Sequence, residues 1–248
     1  MLRRLAPSRP PMTPWTRLDR ADGPDGTRLE LFRRGKDYSI RANGELLMNS
    51  RVHGSEEALA ELAIAALAGR RAPKLLVGGL GCGYTLAAAL SRLGADGSVT
   101  VAEIVPAVVR WNREILGELN GRPLDDPRVD VVERDICALF LDAAATPSVA
   151  APEARRQSFD AILLDVDNGP RAVARPTNAW LYSPAGLAAI RGSLEPRGVL
   201  AVWSAGPEVG FSDRMRAAGF DVVMHRARSH AAKTRQKHLI WLGTSTSR

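Results

Sequence analysis

Four glycines in six positions, Gly78, Gly79, Gly81 and Gly83, follow the apolar run Lys74–Val77 and precede a segment with an apolar face that begins at Tyr84. Within KLLVGGLGCGYTLAAALSRLGADGSVTVAE that order reads as a short strand, a glycine-rich turn, a helix from Tyr84 to about Leu93, and a second strand, Ser98–Val101, ending at the acid Glu103. Glycine lets the turn tighten and lets a ligand come up against the backbone, while free N–H groups at the helix start face that ligand. Glu103 follows Gly83 by twenty positions. At that offset a carboxylate beyond the second strand accepts hydrogen bonds from ribose hydroxyls. The stretch therefore reads as a nucleoside-binding β-α-β unit.

Spacing selects among nucleosides. A dinucleotide fingerprint running from Gly79 needs a small residue at 84, where Tyr84 stands. No G-x-x-x-x-G-K-[ST] occurs, which excludes a P-loop. Glycines at 79, 81 and 83 give G-x-G-x-G, which resembles the turn of S-adenosylmethionine-binding class I methyltransferases and their relatives. Gly79, Gly81, Gly83, Glu103 and the following Ile104 are the first candidate cofactor-binding residues.

A chain of 248 residues, 45% of them hydrophobic, buries one full core, and one α/β domain with a small appendage is the simplest partition. No apolar run approaches the ~18–20 residues of a membrane span. The opening MLRRLAPSRPP lacks the apolar core of a secretory signal, and residues 1–26 are expected to form a disordered extension. Cys82 and Cys137 lack C-x-x-C spacing, and the four histidines show no paired-ligand spacing, so neither a disulfide framework nor a metal site is expected. A cytoplasmic location follows as the expectation. The formal charge of +7 is concentrated in the arginines of residues 1–20 and in Arg226, Arg228, Lys233, Arg235 and Lys237, leaving the rest slightly acidic. That basic segment reads as a solvated loop or, less favoured, a contact for RNA or an acidic partner.

Taken in order, residues 27–54 give short alternating runs broken at Gly35-Lys36 and Asn43-Gly44, the pattern of a small antiparallel β-hairpin unit. Ser55 is expected to cap a helix whose first turn holds Glu56 and Glu57, either as helix-dipole partners or as pocket acids. A helix opened by Pro106 runs to Asn120-Gly121, and Val129–Val132 forms a third strand. Asp135 and Ile136 stand just beyond it, where S-adenosylmethionine sites place an acid for the adenine amino group and a backbone amide for the ring; Asp135 is equally suited to cap a helix. Residues 146–158 read as a surface insertion. Phe159–Leu164 is a central parallel strand, and the Asp165 and Asp167 that follow it overlook the same crevice as the glycine turn. A helix (Pro184–Leu194), a fifth strand (Val199–Trp203) and two last strands joined by the basic segment complete residues 55–248. Cys82 is expected as a space-filler, His238 and Trp241 as packing residues, and Trp203 in the core or on the acceptor pocket. The fold class is α/β, Rossmann-like: a seven-stranded, mostly parallel sheet with a terminal antiparallel hairpin.

GGLGCG after an apolar strand, VAEI, DPRVDVVERDI, FDAILLDVDNGP and LYS together resemble the spermidine synthase family, the polyamine aminopropyltransferases, over roughly residues 37–205. The resemblance implies a homodimer and S-adenosylmethionine or its decarboxylated form as substrate. It implies Asp165, Asp167 and Tyr182 as catalytic residues, with Asp167 as the base, and a polyamine as the partner. Gly81 stands where the family has an acid, the family's D-x-x-D-P is shortened to Asp165-Val166-Asp167, and its hairpin Gln and following Tyr have no counterpart near Leu46-Leu47-Met48 and His53-Gly54. Three functions stay open on these residues: aminopropyl transfer through an acidic pocket of Asp165, Asp167 and Glu45 or Glu56; methyl transfer to another acceptor; and a non-catalytic S-adenosylmethionine-binding relative.

Overall fold

The computed structural model describes residues 13–67, 69–145, 158–166, 169–170, 176–228 and 237–246. Four strands, β1 (Thr16–Asp22), β2 (Arg28–Arg34), β3 (Asp37–Ala42) and β4 (Glu45–Asn49), form an antiparallel meander in chain order. The β3–β4 turn places Asn43 and Gly44 at φ 51° and 87°, the conformation a two-residue hairpin requires. Leu29, Leu31 and Ile40 point into the large core, which fastens one face of this sheet to the rest of the chain.

Within the described residues, β1 stands at Thr16–Asp22, inside the stretch expected to be a disordered extension and ahead of the expected start of the small unit at residue 27. Its sequence, TRLDRAD, lacks apolar alternation and is largely exposed. Pairing with β2 holds one edge, and Asp19 Oδ2 accepts hydrogen bonds from Trp111 Nε1 and Arg110 Nη2, each at 2.7 Å.

The second sheet comprises β5 (Lys74–Gly78), β6 (Ser98–Ala102), β7 (Val129–Val132), β8 (Phe159–Leu164), β9 (Leu194–Ser204), β10 (Phe220–Arg228) and β11 (Lys237–Ser245), in the order β10-β11-β9-β8-β5-β6-β7. β5 to β9 pair in parallel, and β11 runs antiparallel to both β9 and β10. This is the expected α/β class. Leu75 and Val77 pack with α1 (Gly54–Ala66), α2 (Tyr84–Arg92) and α3 (Pro106–Trp111), while Leu76 packs with α4 (Ile136–Ala145), α5 (Pro184–Gly192) and α6 (Phe211–Ala217). Covering on both faces explains the unbroken apolar run of β8. Among the described residues no helix is long and apolar enough to cross a membrane.

Ser55 does not cap α1, which corrects the sequence expectation. The N-cap is His53, without a side-chain cap bond. Ser55 Oγ instead donates to Glu56 Oε2 at 2.6 Å and meets His238 Nδ1 at 2.7 Å. A histidine on β11 decides this.

Candidate functional site

The carboxyl ends of β5, β6, β7 and β8 open onto a cleft of about 500 Å³, whose opposite wall is the four-stranded sheet through Leu29, Ile40, Leu47 and Met48. Parallel strands aim their ends at one side, so the residues just after each strand meet there.

Gly79, Gly81 and Gly83 adopt φ of 85°, 53° and 81°, in the left-handed region that favours glycine. Gly79 and Gly81 line the cleft, and a Cβ on Gly79 would collide with the Asp165 carbonyl oxygen. Gly83 sits deeper, as the N-cap of α2, where a Cβ would come within 2.9 Å of Asn112 Oδ1. Two asparagines that the sequence reading missed secure the turn. Asn112 Nδ2 donates to the Gly81 carbonyl and Asn120 Nδ2 to the Cys82 carbonyl, both at 2.8 Å.

Glu103 is buried at the rim. Its Oε1 accepts from the Val105 N–H at 2.8 Å and its Oε2 from the Leu80 N–H at 3.0 Å. Ile104, Asp135 and Ile136 border the cleft beside it. Asp135 Oδ1 accepts from the Cys137 N–H at 2.8 Å, so the capping role and the cleft position coexist in one side chain. The structure thus brings together Gly79, Gly81, Glu103, Ile104, Asp135, Ile136 and Asp165.

At the inner end, Thr85 Oγ1 donates to Asp165 Oδ2 at 2.6 Å. Burial, then the negative charge of Glu56, push the Asp165 carboxyl up to about 7 against the lowering effect of that hydrogen bond. Glu56, Met48, Cys82 and Tyr84 border the same recess. Burial pushes the Cys82 thiol up to about 12, which makes it an inert filler rather than a nucleophile. Tyr84 stacks on His53 with ring centroids 4.1 Å apart, and its hydroxyl donates to the Ser50 carbonyl at 3.2 Å.

Met48 was not legible as a site residue. A Cβ on Gly81 would collide with its Cε and stand 2.7 Å from its Sδ, so a thioether covers the position where the resemblance directs attention to an acid. Trp203 occupies both places considered for it. It is 8% exposed in the core, borders the cleft, and meets His238 edge to face at 4.8 Å.

Tyr182 lies elsewhere. It is buried among the residues that pack with α4, α5 and α6, its hydroxyl 3.5 Å from the Val166 carbonyl. Asp167, the insertion at 146–157 and residues 229–236 of the basic loop lie outside the described residues. Among the described residues, no group of three or more His, Cys, Asp or Glu side chains could hold a metal ion.

No protein-family model matches the chain. It is 32% identical over 187 residues to polyamine aminopropyltransferase 1 of Streptomyces coelicolor, covering 73% of this chain and 31% of the relative. It is 30% identical over 179 residues to a polyamine aminopropyltransferase of Mycobacterium tuberculosis, covering 72% and 31%. The chain therefore spans about a third of the length of these relatives. In structure it is similar to spermidine synthase from Thermotoga maritima, with a TM-score of 0.70 at 16% identity over 94% of this chain and 74% of that one. A spermidine synthase in complex with the transition-state analogue AdoDATO gives 0.68 at 16% identity over 94% and 73%. In fold the chain is spermidine synthase-like, and over about 72–73% of its length its sequence is similar to polyamine aminopropyltransferases.

Proposed function

We propose that this chain is a transferase that moves an aminopropyl group from decarboxylated S-adenosylmethionine to the amine of a polyamine. The observation that carries the proposal is the charge of the cleft. Asp25, Glu45, Glu56, Glu103, Asp135 and Asp165 line it, against Arg134 as the base among the described lining residues, in a chain of formal charge +7. A cavity of that sign concentrates cations, and a sulfonium donor and a polyammonium acceptor are both cations.

In this reading the close backbone at Gly79, Gly81 and Gly83 receives the donor, Glu103 and Ile104 hold its ribose, and Asp135 and Ile136 hold its adenine. An alkyl amine is protonated near neutrality, with a pKa of ~10. Asp165, near 7, takes one ammonium proton. The freed lone pair attacks the methylene beside the sulfonium, a C–N bond forms, and the C–S electron pair passes to sulfur. A neutral thioether and a secondary ammonium result. Asp165 thereby takes the base role that the resemblance implies for Asp167, which stays a proposed second acid; Tyr182 supports the strand end through the Val166 carbonyl, and juxtaposing two bound substrates lowers the barrier further. A homodimer and a cytoplasmic setting belong to the same proposal.

The Met48 cover over Gly81 favours a second reading, methyl transfer from S-adenosylmethionine to a different acceptor, since that reaction needs alignment more than a second carboxylate. Calorimetric titration with S-adenosylmethionine, its decarboxylated form and methylthioadenosine, each with and without putrescine or spermidine, separates the two. Preference for the decarboxylated form with tighter binding alongside a polyamine supports aminopropyl transfer. Preference for S-adenosylmethionine with no response to polyamines replaces it with methyl transfer.

A further inference from the structure

Glu56 and Glu57 are adjacent in α1 but serve different neighbourhoods. Glu57 Oε1 pairs with His53 Nδ1 at 2.8 Å near the helix start, whereas Glu56 borders the inner recess with Asp165, Met48, Cys82 and Tyr84. Ser55 Oγ donates to Glu56 Oε2 at 2.6 Å. With the hydroxyl hydrogen committed there, the 2.7 Å contact to His238 needs a proton on His238 Nδ1. Donors therefore run from His238 through Ser55 to Glu56. Both supports are buried, Ser55 at 0% and His238 at 8% exposure, and Glu56 Oε1 makes no hydrogen bond among the described residues.

Two further observations point to a ligand at this end. The indole N–H of Trp203, a residue 8% exposed and bordering the cleft, has no hydrogen-bond partner among the described residues. A buried donor of this kind costs stability until an acceptor reaches it, and a bound molecule or the water it carries can supply one. Met48, meanwhile, covers Gly81, so the glycine turn offers no acid there.

The geometry points to Glu56 and Asp165 as a carboxylate pair that grips the attacking ammonium of the acceptor, with Ser55 and His238 as positioning residues for Glu56. Helix α1 thereby supplies the acid that the glycine turn lacks. The inference rests on the proposed aminopropyl transfer and deepens it. A primary ammonium has three N–H donors; it spans both carboxylates, and after one proton passes to Asp165 the two remaining hydrogens keep the amine oriented with its lone pair free. Asp165 is faced by Glu56 from α1, Thr85 from α2 and Cys82 from the glycine turn. Removing the Glu56 charge removes one of the effects that raise it.

The test is calorimetric titration of putrescine into wild type and Glu56→Gln, each saturated with methylthioadenosine, together with methylthioadenosine alone and the pH profile of turnover. Glu56→Gln is expected to weaken putrescine tenfold or more, leave methylthioadenosine within twofold, and move the acid limb of kcat/KM to lower pH. Ser55→Ala, which leaves the Glu56 charge in place, is expected to weaken putrescine about threefold with methylthioadenosine within twofold and the limb unmoved, and it serves in place of Glu56→Gln if that variant does not fold. Unchanged putrescine binding in both variants overturns the pair while aminopropyl transfer stands. No putrescine binding by wild type overturns that function, and the inference with it.

Discussion

The hydroxyl of Thr85, on the first turn of α2, donates at 2.6 Å to the carboxylate of Asp165, the residue that follows β8. Among the described residues that bond is the one contact lowering an Asp165 carboxyl which burial and Glu56 hold near 7. Thr85→Val should therefore raise it further, by about one to two units for the ~1.5–3 kcal/mol of a charged hydrogen bond. Since the proposed base works deprotonated, the acid limb of kcat/KM should move to higher pH, with activity about tenfold lower near pH 6 and little changed near pH 9. A limb that stays in place would mean that another group titrates.

Asp165→Asn should trade activity for stability. Burial holds the folded carboxyl above the ordinary carboxylate range, so its contribution is full below about pH 4 and is lost as pH rises through about 7. The variant should therefore gain on wild type in thermal melts as pH rises from 4 to 8, while turnover falls ~10²–10⁴-fold. A melting difference that stays constant with pH would contradict a desolvated carboxylate.

Gly81→Asp asks whether the covered position can be made acidic. Its φ of 53° is the left-handed conformation that Asp tolerates better than most residues, and the end of the Met48 side chain is what a Cβ meets. Alone, the substitution should cost about 1–3 kcal/mol by overpacking. Combined with Met48→Ala it should recover part of that and tighten putrescine about tenfold, read by calorimetry. No gain in putrescine affinity would separate this position from the acceptor site.

Asp19→Ala should loosen the small sheet. Trp111 is fully buried, and losing Asp19 strands its indole N–H, at about 1–2 kcal/mol. Hydrogen exchange in residues 16–22 should accelerate ahead of the seven-stranded sheet. The Trp111 hydrogen bond first, then Arg110, hold the Asp19 carboxyl below 3.8, so this stabilisation is present above that pH and is lost as pH falls through the lower folded value. Equal protection in variant and wild type would show that strand pairing alone holds β1.

The parts of this protein that the sequence determined by itself are those where the signal is local. The period-2 runs of β2 to β4, the apolar run of β8 and the glycine spacing from 79 to 83 each follow from the geometry of one element. Acids placed just after parallel strands were legible for the same reason, because β-α-β topology carries Glu103, Asp135 and Asp165 to one side. Only the tertiary structure decided what touches them. Strand β1 lacks apolar alternation, and its Asp19 meets Trp111, 92 positions away. Ser55 looked like a cap until His238, 183 positions away, met it. Met48 over Gly81 is a contact between the small sheet and the glycine turn, and Thr85 against Asp165 is one between helix and strand end. Contacts of this kind depend on how elements dock across the core rather than on any residue's own backbone preference.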